Sequence, residues 1–274
     1  MSKKPAMHKA RKRFGQNFLQ DPAIIRRIVR SIAPSEKDHM VEIGPGLGAL
    51  TEEILGDAGA LDAIELDRDL PPILRTKFFS YGDKFRIFEE DAMKFDFHAL
   101  SQEHGTPLRV VGNLPYNIST QLIFHLLSHA GDILDMHFML QKEVVDRMAA
   151  GAGENNYGRL GIMTQYYCAV EPLFIVPPEA FDPRPKVDSA IIRLTPYKTL
   201  PHEAKDVKQL DLVVRTAFGQ RRKTLRNNLK PLLGAEALEQ LGIDPGLRPE
   251  RLTLEEFVRI SDYLTDKAVS PEQD

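Results

Sequence analysis

Cysteine is almost missing from this chain: Cys168 is the single one in 274 residues, set in the apolar stretch Tyr166-Tyr-Cys-Ala-Val170. Neither a disulfide framework nor a cysteine zinc site can form within one such chain. No apolar run reaches the about 18 residues of a membrane-spanning helix. The first residues are basic and polar, without the apolar stretch of a secretory signal. Internal repeats and low-complexity tracts are lacking, as is any Ser-His-Asp or Cys-His nucleophile arrangement. His125 and His129 are four apart, as metal ligands on a helix can be, but no third ligand at suitable spacing accompanies them. His-Leu-Leu-Ser-His also lacks the glutamate of a zinc hydrolase. These gaps exclude secreted, membrane-spanning and metal-hydrolase readings, and the expectation is a cytoplasmic protein with no metal and no membrane partner.

The composition is that of a globular chain, 42% hydrophobic and 27% charged. The net charge of −3 conceals an asymmetry. Acids are absent from residues 1–13, which carry Lys3, Lys4, Lys9, Arg11, Lys12 and Arg13, and from residues 221–230, which carry Arg221, Arg222, Lys223, Arg226 and Lys230. The remainder sets 25 basic against 39 acidic residues, a balance of −14. Basic charge gathered at two places on an acidic body predicts a polyanionic partner, the plain alternative being solvated tails.

Asp21-Pro22 reads as an N-cap with proline at N1, opening a helix to about Ala33 with Ile24, Ile25, Ile28, Val29 and Ile32 on one face. Strand-like and helix-like segments then alternate. Strands are expected at 40–43, 61–66, 85–88, 108–111 and 136–140, and helices at 49–55, 68–78, 120–130, 142–150 and 158–167. This rhythm predicts an α/β fold with a mainly parallel sheet. Two β-rich runs, 169–176 and 189–194, flank a loop with Pro177, Pro178, Pro183 and Pro185, a common finish to such a sheet. Beyond Tyr197 the pattern is helical only, over 206–218, 222–233, 235–241 and 254–266. The expected domains are 1–198 and a small all-helical 199–274.

Asn113-Leu114-Pro115-Tyr116 follows the apolar run that starts at Leu108. It therefore stands at a strand's C-terminal end, where open α/β sheets place ligands. The tetrapeptide suits methylation of an exocyclic amine on a flat ring, whose lone pair is delocalised and poorly nucleophilic. An Asn oxygen and the Leu114 carbonyl can accept its two N–H bonds and localise that pair. Tyr116 can stack on the base. Pro115 fixes the turn. Alone, the motif is also compatible with an ordinary turn.

Val41-Glu-Ile-Gly44-Pro-Gly46-Leu-Gly48 is a glycine-rich turn between a strand and its helix, where backbone can approach a ligand beside the positive end of a helix dipole. Glu65 ends the next strand, a position that accepts ribose hydroxyls. Asp91 ends the third and can accept from an adenine amine or the adjacent edge. Gly44-x-Gly46-x-x-Ala49 also satisfies the loose nicotinamide-dinucleotide fingerprint. The G-x-G-x-G spacing, the second acid and the Asn-x-Pro-Tyr motif together fit S-adenosylmethionine instead.

Arg11-Lys-Arg-Phe-Gly-Gln-Asn-Phe-Leu19, Val41-Glu-Ile-Gly-Pro-Gly46, Gly112-Asn-Leu-Pro-Tyr-Asn-Ile-Ser119, Met139-Leu-Gln-Lys-Glu143 and Pro185-Lys-Val-Asp-Ser-Ala190 stand in this order. In them the chain resembles the ribosomal RNA adenine dimethyltransferases, most of all the bacterial small-subunit enzymes, over residues from about 11 to 230. The resemblance implies a Rossmann-like S-adenosylmethionine-dependent methyltransferase core with a helical C-terminal domain. It implies N6,N6-dimethylation of two adjacent adenosines in the 3′-terminal hairpin loop of 16S rRNA, within the immature small subunit, by a monomer with a part in subunit biogenesis. It further implies that Asn17, Leu19, Gly44, Gly46, Glu65, Asp91 and Asn113 contact the cofactor. Phe181 would cover the second face of the target base, and Asn113, Leu114, Pro115 and Tyr116 would form the catalytic motif. Arg11, Lys12, Arg13, Arg221, Arg222, Lys223, Arg226 and Lys230 are the expected phosphate contacts, the last group as a stripe Arg222, Arg226, Lys230 along a helix. Two rivals stay open here, a non-enzymatic RNA-binding assembly factor and the related large-subunit methyltransferase.

Overall fold

The computed structural model describes residues 17–269. In chain order they form β1 (Phe18–Leu19), α1 (Pro22–Ile32), β2 (His39–Ile43), α2 (Ala49–Asp57), β3 (Ala60–Ile64), α3 (Leu70–Lys77), β4 (Phe85–Phe88), α4 (Phe97–His104), β5 (Leu108–Asn113) and α5 (Ser119–Leu127). There follow β6 (Ile133–Gln141), α6 (Lys142–Ala149), α7 (Arg159–Tyr167), β7 (Cys168–Val176), β8 (Phe181–Asp182) and β9 (Ser189–Pro196). The last elements are α8 (Val207–Ala217), α9 (Leu225–Asn228), α10 (Ala235–Gln240) and α11 (Leu254–Val269).

Seven strands form one sheet in the order β4-β3-β2-β5-β6-β9-β7. The five from β4 to β6 run parallel, and β9 is antiparallel to β6. The chain steps outward from β2 through β3 to β4, then crosses back to β5 on the other side of β2. That reversal opens a crevice between the C-terminal ends of β2 and β5. Successive strand residues face opposite sides, and both sides are closed. Met40, Val111 and Met139 join the core that α1, α2 and α3 cover. Their neighbours Val41, Val110 and Phe138 are equally buried. Strands enclosed on both sides read as continuous apolar runs, as β5 and β6 do.

Local chemistry fixes the elements. Asp21 accepts hydrogen bonds from the N–H groups of Ala23 (2.8 Å) and Ile24 (3.2 Å). α1 then buries Ile25, Ile28, Val29 and Ile32. A helix not expected from sequence, α4, has the same start, Asp96 accepting from Ala99 N–H at 2.9 Å, and ends at Gly105.

The chain divides into two compact units. One runs through Val145 and resumes over Glu171–Pro196; the other comprises Asp146–Val170 and the chain from Tyr197 on. The sequence reading sets one boundary near 198; the chain crosses between units near 145, 170 and 196. In the second unit α8 packs against α11 and α7, burying Leu210, Val213, Val214, Phe257 and Ile260. Arg159 of α7 holds Asp211 of α8 through two bonds, 2.7 and 3.0 Å.

The helix expected over 222–233 does not form. Only the single turn α9 is helical. Its first N–H groups are taken by distant carbonyls, Leu225 by Leu247 and Arg226 by Pro245. The Asn228 amide turns back to donate to the Ala217 carbonyl at 2.7 Å and that of Gln220 at 3.1 Å. Pro231, which lacks an N–H, stands where the helix would have continued.

Candidate active site

The crevice between β2 and β5 holds the motifs. Ile43 lies opposite Gly112 across the two strands, so Gly44 and Asn113 leave the sheet side by side. The N–H of Gly44 donates to the Ile64 carbonyl and that of Glu65 to the Phe88 carbonyl, both at 2.9 Å, which brings the ends of β3 and β4 to the same edge. A cavity of about 470 Å³ opens there, within the size range of small-molecule sites.

Asn17, Leu19, Gly44, Gly46, Glu65 and Asp91 all line it, as do Asn113, Leu114, Pro115 and Tyr116. Residues up to 99 positions apart in sequence therefore meet at one surface. Phe181 does not join them. In β8 it pairs with Leu19 of β1, and its side chain is 5% exposed within the core. It packs there with Leu19, Val176 and Ala180.

Two close approaches shape the cavity. Gly46 has φ 59°, and a Cβ there would sit 3.1 Å from the Phe18 ring. At Gly112 a Cβ would lie 2.6 Å from the Ile43 carbonyl oxygen, so β2 and β5 lie close together only because that side chain is absent.

Asn113 is oriented by its side-chain nitrogen, which donates to the backbone carbonyl of Asn17 at 3.0 Å. The amide oxygen is left as the acceptor. Tyr116 is held by a hydroxyl–hydroxyl hydrogen bond to Ser189 of β9 at 2.6 Å. Burial pushes the Tyr116 phenol above its usual value, with the Ser189 bond opposing. Ser189 itself is fully buried. Asp91 accepts from Met93 N–H at 3.0 Å through Oδ1, which fixes its carboxylate on the rim.

Two carboxyls at the floor are electrostatically unusual. Glu65 is pushed up to about 7, chiefly by burial, with the N–H groups of Asp67 and Gly46 opposing. Glu42, wholly buried in β2, is likewise pushed up to about 7 by burial and, more weakly, by the charge of Glu65. The Thr51 hydroxyl donates to Glu42 at 2.6 Å. Lys77 also borders the cavity and pairs with Glu52 at 2.8 Å. Glu42, Lys77, Ser189 and the Asn17 carbonyl are absent from the sequence expectation. Glu42 had a signal, an acid inside an apolar strand two residues before the glycine turn; the other three depend on tertiary placement.

The basic segments divide. Arg11, Lys12 and Arg13 lie outside the described residues. Arg222, Lys223, Arg226 and Lys230 are exposed, but they stand on turns and the single helical turn α9, so the expected helical stripe is replaced by a looped cluster. The Arg221 guanidinium donates to the carbonyls of Asn155 and Tyr157, which ties it to its own unit. His125 bonds the Phe95 carbonyl at 3.1 Å and its ring lies against Phe97. Among the described residues, no helix is long and apolar enough to cross a membrane.

Comparison with known proteins adds a further finding. The profile of the family described as ribosomal RNA adenine dimethylase matches residues 7–266. The small-subunit ribosomal RNA methyltransferase A of Marinobacter nauticus is 64% identical over 259 residues, 94% of this chain and 93% of that one. Its namesake from Hahella chejuensis is 62% identical, over 97% and 96%. Among solved structures, a dimethyladenosine transferase from Plasmodium falciparum is similar with a TM-score of 0.77 and 26% identity, over 92% of this chain and 98% of that one. The 23S rRNA methyltransferase ErmE is similar with a TM-score of 0.68 and 26% identity, over 91% and 100%.

Proposed function

The chain belongs to the ribosomal RNA adenine dimethylase family, and from that premise we propose that it dimethylates N6 of two adjacent adenosines in the 3′-terminal hairpin loop of 16S rRNA. The substrate would be the small ribosomal subunit during its maturation, met in the cytoplasm by a monomer. Identity of 64% to a small-subunit enzyme against 26% to the 23S enzyme favours the small subunit.

The observation that carries the reading is the Asn113 amide. With its nitrogen committed to the Asn17 carbonyl, its oxygen is preset to accept an N–H bond from an exocyclic amine. A preorganised dipole of this kind costs no rearrangement during reaction. The Leu114 carbonyl would accept the second N–H, and Tyr116, steadied by Ser189, would stack on the base. No strong general base is required, because the amine proton can leave after the methyl group arrives. A monomethylated product still carries one N–H, so the same acceptors can hold it for a second round.

The residues fit S-adenosylmethionine. Glu65 presents a nearly buried carboxylate, 7% exposed, on the same cavity wall as the glycine turn and Asp91. Glu65 would hold the ribose hydroxyls, Asp91 the adenine, and the backbone at Gly44 and Gly46 the methionine portion. When bound, the cofactor supplies a methyl group on a positively charged sulfur. The chain's own contribution is position and polarity.

The test is incubation with labelled cofactor and unmethylated small subunits, followed by nucleoside analysis. Asn113→Ala is expected to lower turnover by on the order of 10²-fold with RNA affinity little changed. Near-normal dimethyladenosine from that variant rejects the assignment. A part in subunit biogenesis, separate from methyl transfer, predicts that the same variant restores subunit assembly in cells lacking the enzyme.

A further inference from the structure

Of the two buried acids that line the cavity, Glu65 has the ribose to hold, and Glu42 has no task in the proposed reaction. Glu42 stands in β2 two residues before Gly44, opposite Ala63 of β3 and Val111 of β5. Its side chain points to the side of the sheet that α2 covers, where Oε2 accepts from the Thr51 hydroxyl at 2.6 Å. The carboxyl therefore sits beneath the glycine turn that joins β2 to α2. Glu42 is 1% exposed and Thr51 is fully buried.

The fold itself does not need a charge there. An amide would accept the same bond from Thr51, and a buried carboxylate is costly to ionise. Burial raises the Glu42 pKa to about 7; the Thr51 hydroxyl opposes this, the charge of Glu65 adds to it, and Lys77 opposes it more weakly. The rest of the lining is acidic as well. Among the described residues, Glu65, Glu90 and Asp91 share the cavity with a single base, Lys77, whose ammonium is paired with Glu52 at 2.8 Å. The cavity thus presents a negative field that an incoming cation would relieve.

Two ligands must exchange in such a site at every round of transfer. S-adenosylmethionine bears a positive sulfur, and S-adenosylhomocysteine, its spent form, a neutral one. Adenine, ribose, amino and carboxylate groups are common to both, so contacts to those groups bind both alike and cannot tell them apart. We propose that Glu42 is a specificity-determining residue: its carboxylate, sealed under the glycine turn, holds the charged donor in preference to the neutral product. This rests on the S-adenosylmethionine site described for Glu65, Asp91 and the glycine turn. Loss of the sulfur's charge at methyl transfer then weakens the hold on the product, which must leave before a second methyl group can reach the same adenosine.

The test is calorimetric titration of the full-length protein with S-adenosylmethionine, S-adenosylhomocysteine and sinefungin, in which a carbon bearing a protonated amine replaces the methylated sulfur. Glu42→Gln keeps the shape of the side chain and an acceptor for Thr51. It is expected to weaken the donor and sinefungin about tenfold relative to the product, the order of one unit-charge interaction in a partly screened site. Thr51→Val removes the hydroxyl that favours the charged carboxyl and should shift the same ratio in the same direction by a smaller factor. Denaturant unfolding establishes that each variant folds, and Thr51→Val carries the test if Glu42→Gln does not. A ratio unchanged in the folded variants overturns the proposal. Equal weakening of all three ligands also overturns it, since Glu42 would then serve a group that donor and product share, or packing alone. Weakening of the donor without sinefungin would assign the effect to the fit of the methyl group and overturns it too. Native protein that binds none of the three overturns the cofactor site itself, and the proposal falls with it.

Discussion

Glu42 shows how a single buried group can link the site to the medium. Its carboxylate accepts a hydrogen bond from the Thr51 hydroxyl. Burial pushes it from an ordinary carboxylate value up to about 7. Its folded pKa lies above its unfolded one, so its contribution to stability is complete below about 4.5 and is lost as pH rises towards 7. Glu42→Gln removes the ionisation and keeps an acceptor for Thr51. Relative to the native protein, the variant should gain on the order of 1–3 kcal/mol between pH 5 and pH 8, read from denaturant midpoints at the two values. A difference that stays constant with pH would show that Glu42 ionises as an ordinary carboxylate. Ser189 gives a second case at this scale. Removing its hydroxyl leaves the Tyr116 hydroxyl without its buried partner. A cycle of Ser189→Ala and Tyr116→Phe should show coupling of about 0.5–3 kcal/mol in unfolding free energy, and a value of zero would mean the 2.6 Å bond contributes nothing net.

At the scale of elements, the site depends on how closely β2 and β5 lie. Gly112 makes that contact possible, since a methyl group there would meet the Ile43 carbonyl at 2.6 Å. Gly112→Ala should therefore destabilise the protein by about 1–3 kcal/mol, and it should lower methylation more than global unfolding explains, because Asn113 is the next residue. Full activity in a folded Gly112→Ala protein would show that strand spacing does not set the geometry of the motif. The same elements show what can be read from sequence. The parallel strands are legible because burial on both faces leaves an unbroken apolar run, and α1 is legible because Asp21 and Pro22 mark its start. The cavity's lining is legible wherever a motif ends a strand. The helix at 222–233 is misread although Pro231 stands within it, since apolar spacing outweighs a single breaker until the competing carbonyls of Leu247 and Pro245 are known. Phe181 carries no local sign of its inward turn. It is set by pairing with Leu19, far away in sequence. The Asn17 carbonyl is invisible for a related reason, being backbone whose role arises only where it meets Asn113.

Over the whole molecule, the acidic balance outside two basic segments sets how a polyanion would be met. An acidic surface repels phosphates at long range, so capture falls to the places where acids are missing. Within the second unit the exposed side chains of Arg222, Lys223, Arg226 and Lys230 make such a place. Arg221 differs, because its guanidinium is bonded to the carbonyls of Asn155 and Tyr157. The two kinds of arginine should separate on mutation. Replacing the four exposed residues by glutamine is expected to leave the unfolding midpoint within experimental scatter. It should reduce the slope of log affinity against log salt by up to about three, at about 0.7 per neutralised phosphate contact on a single strand. Arg221→Gln should instead lower the midpoint and leave the slope nearly unchanged. If the fourfold variant keeps the native salt slope for small-subunit RNA, this cluster is solvated surface and the phosphate contacts lie elsewhere on the chain. A flattened slope with normal turnover at saturating RNA would locate the cluster's contribution in capture, leaving the methyl-transfer step to Asn113 and its neighbours.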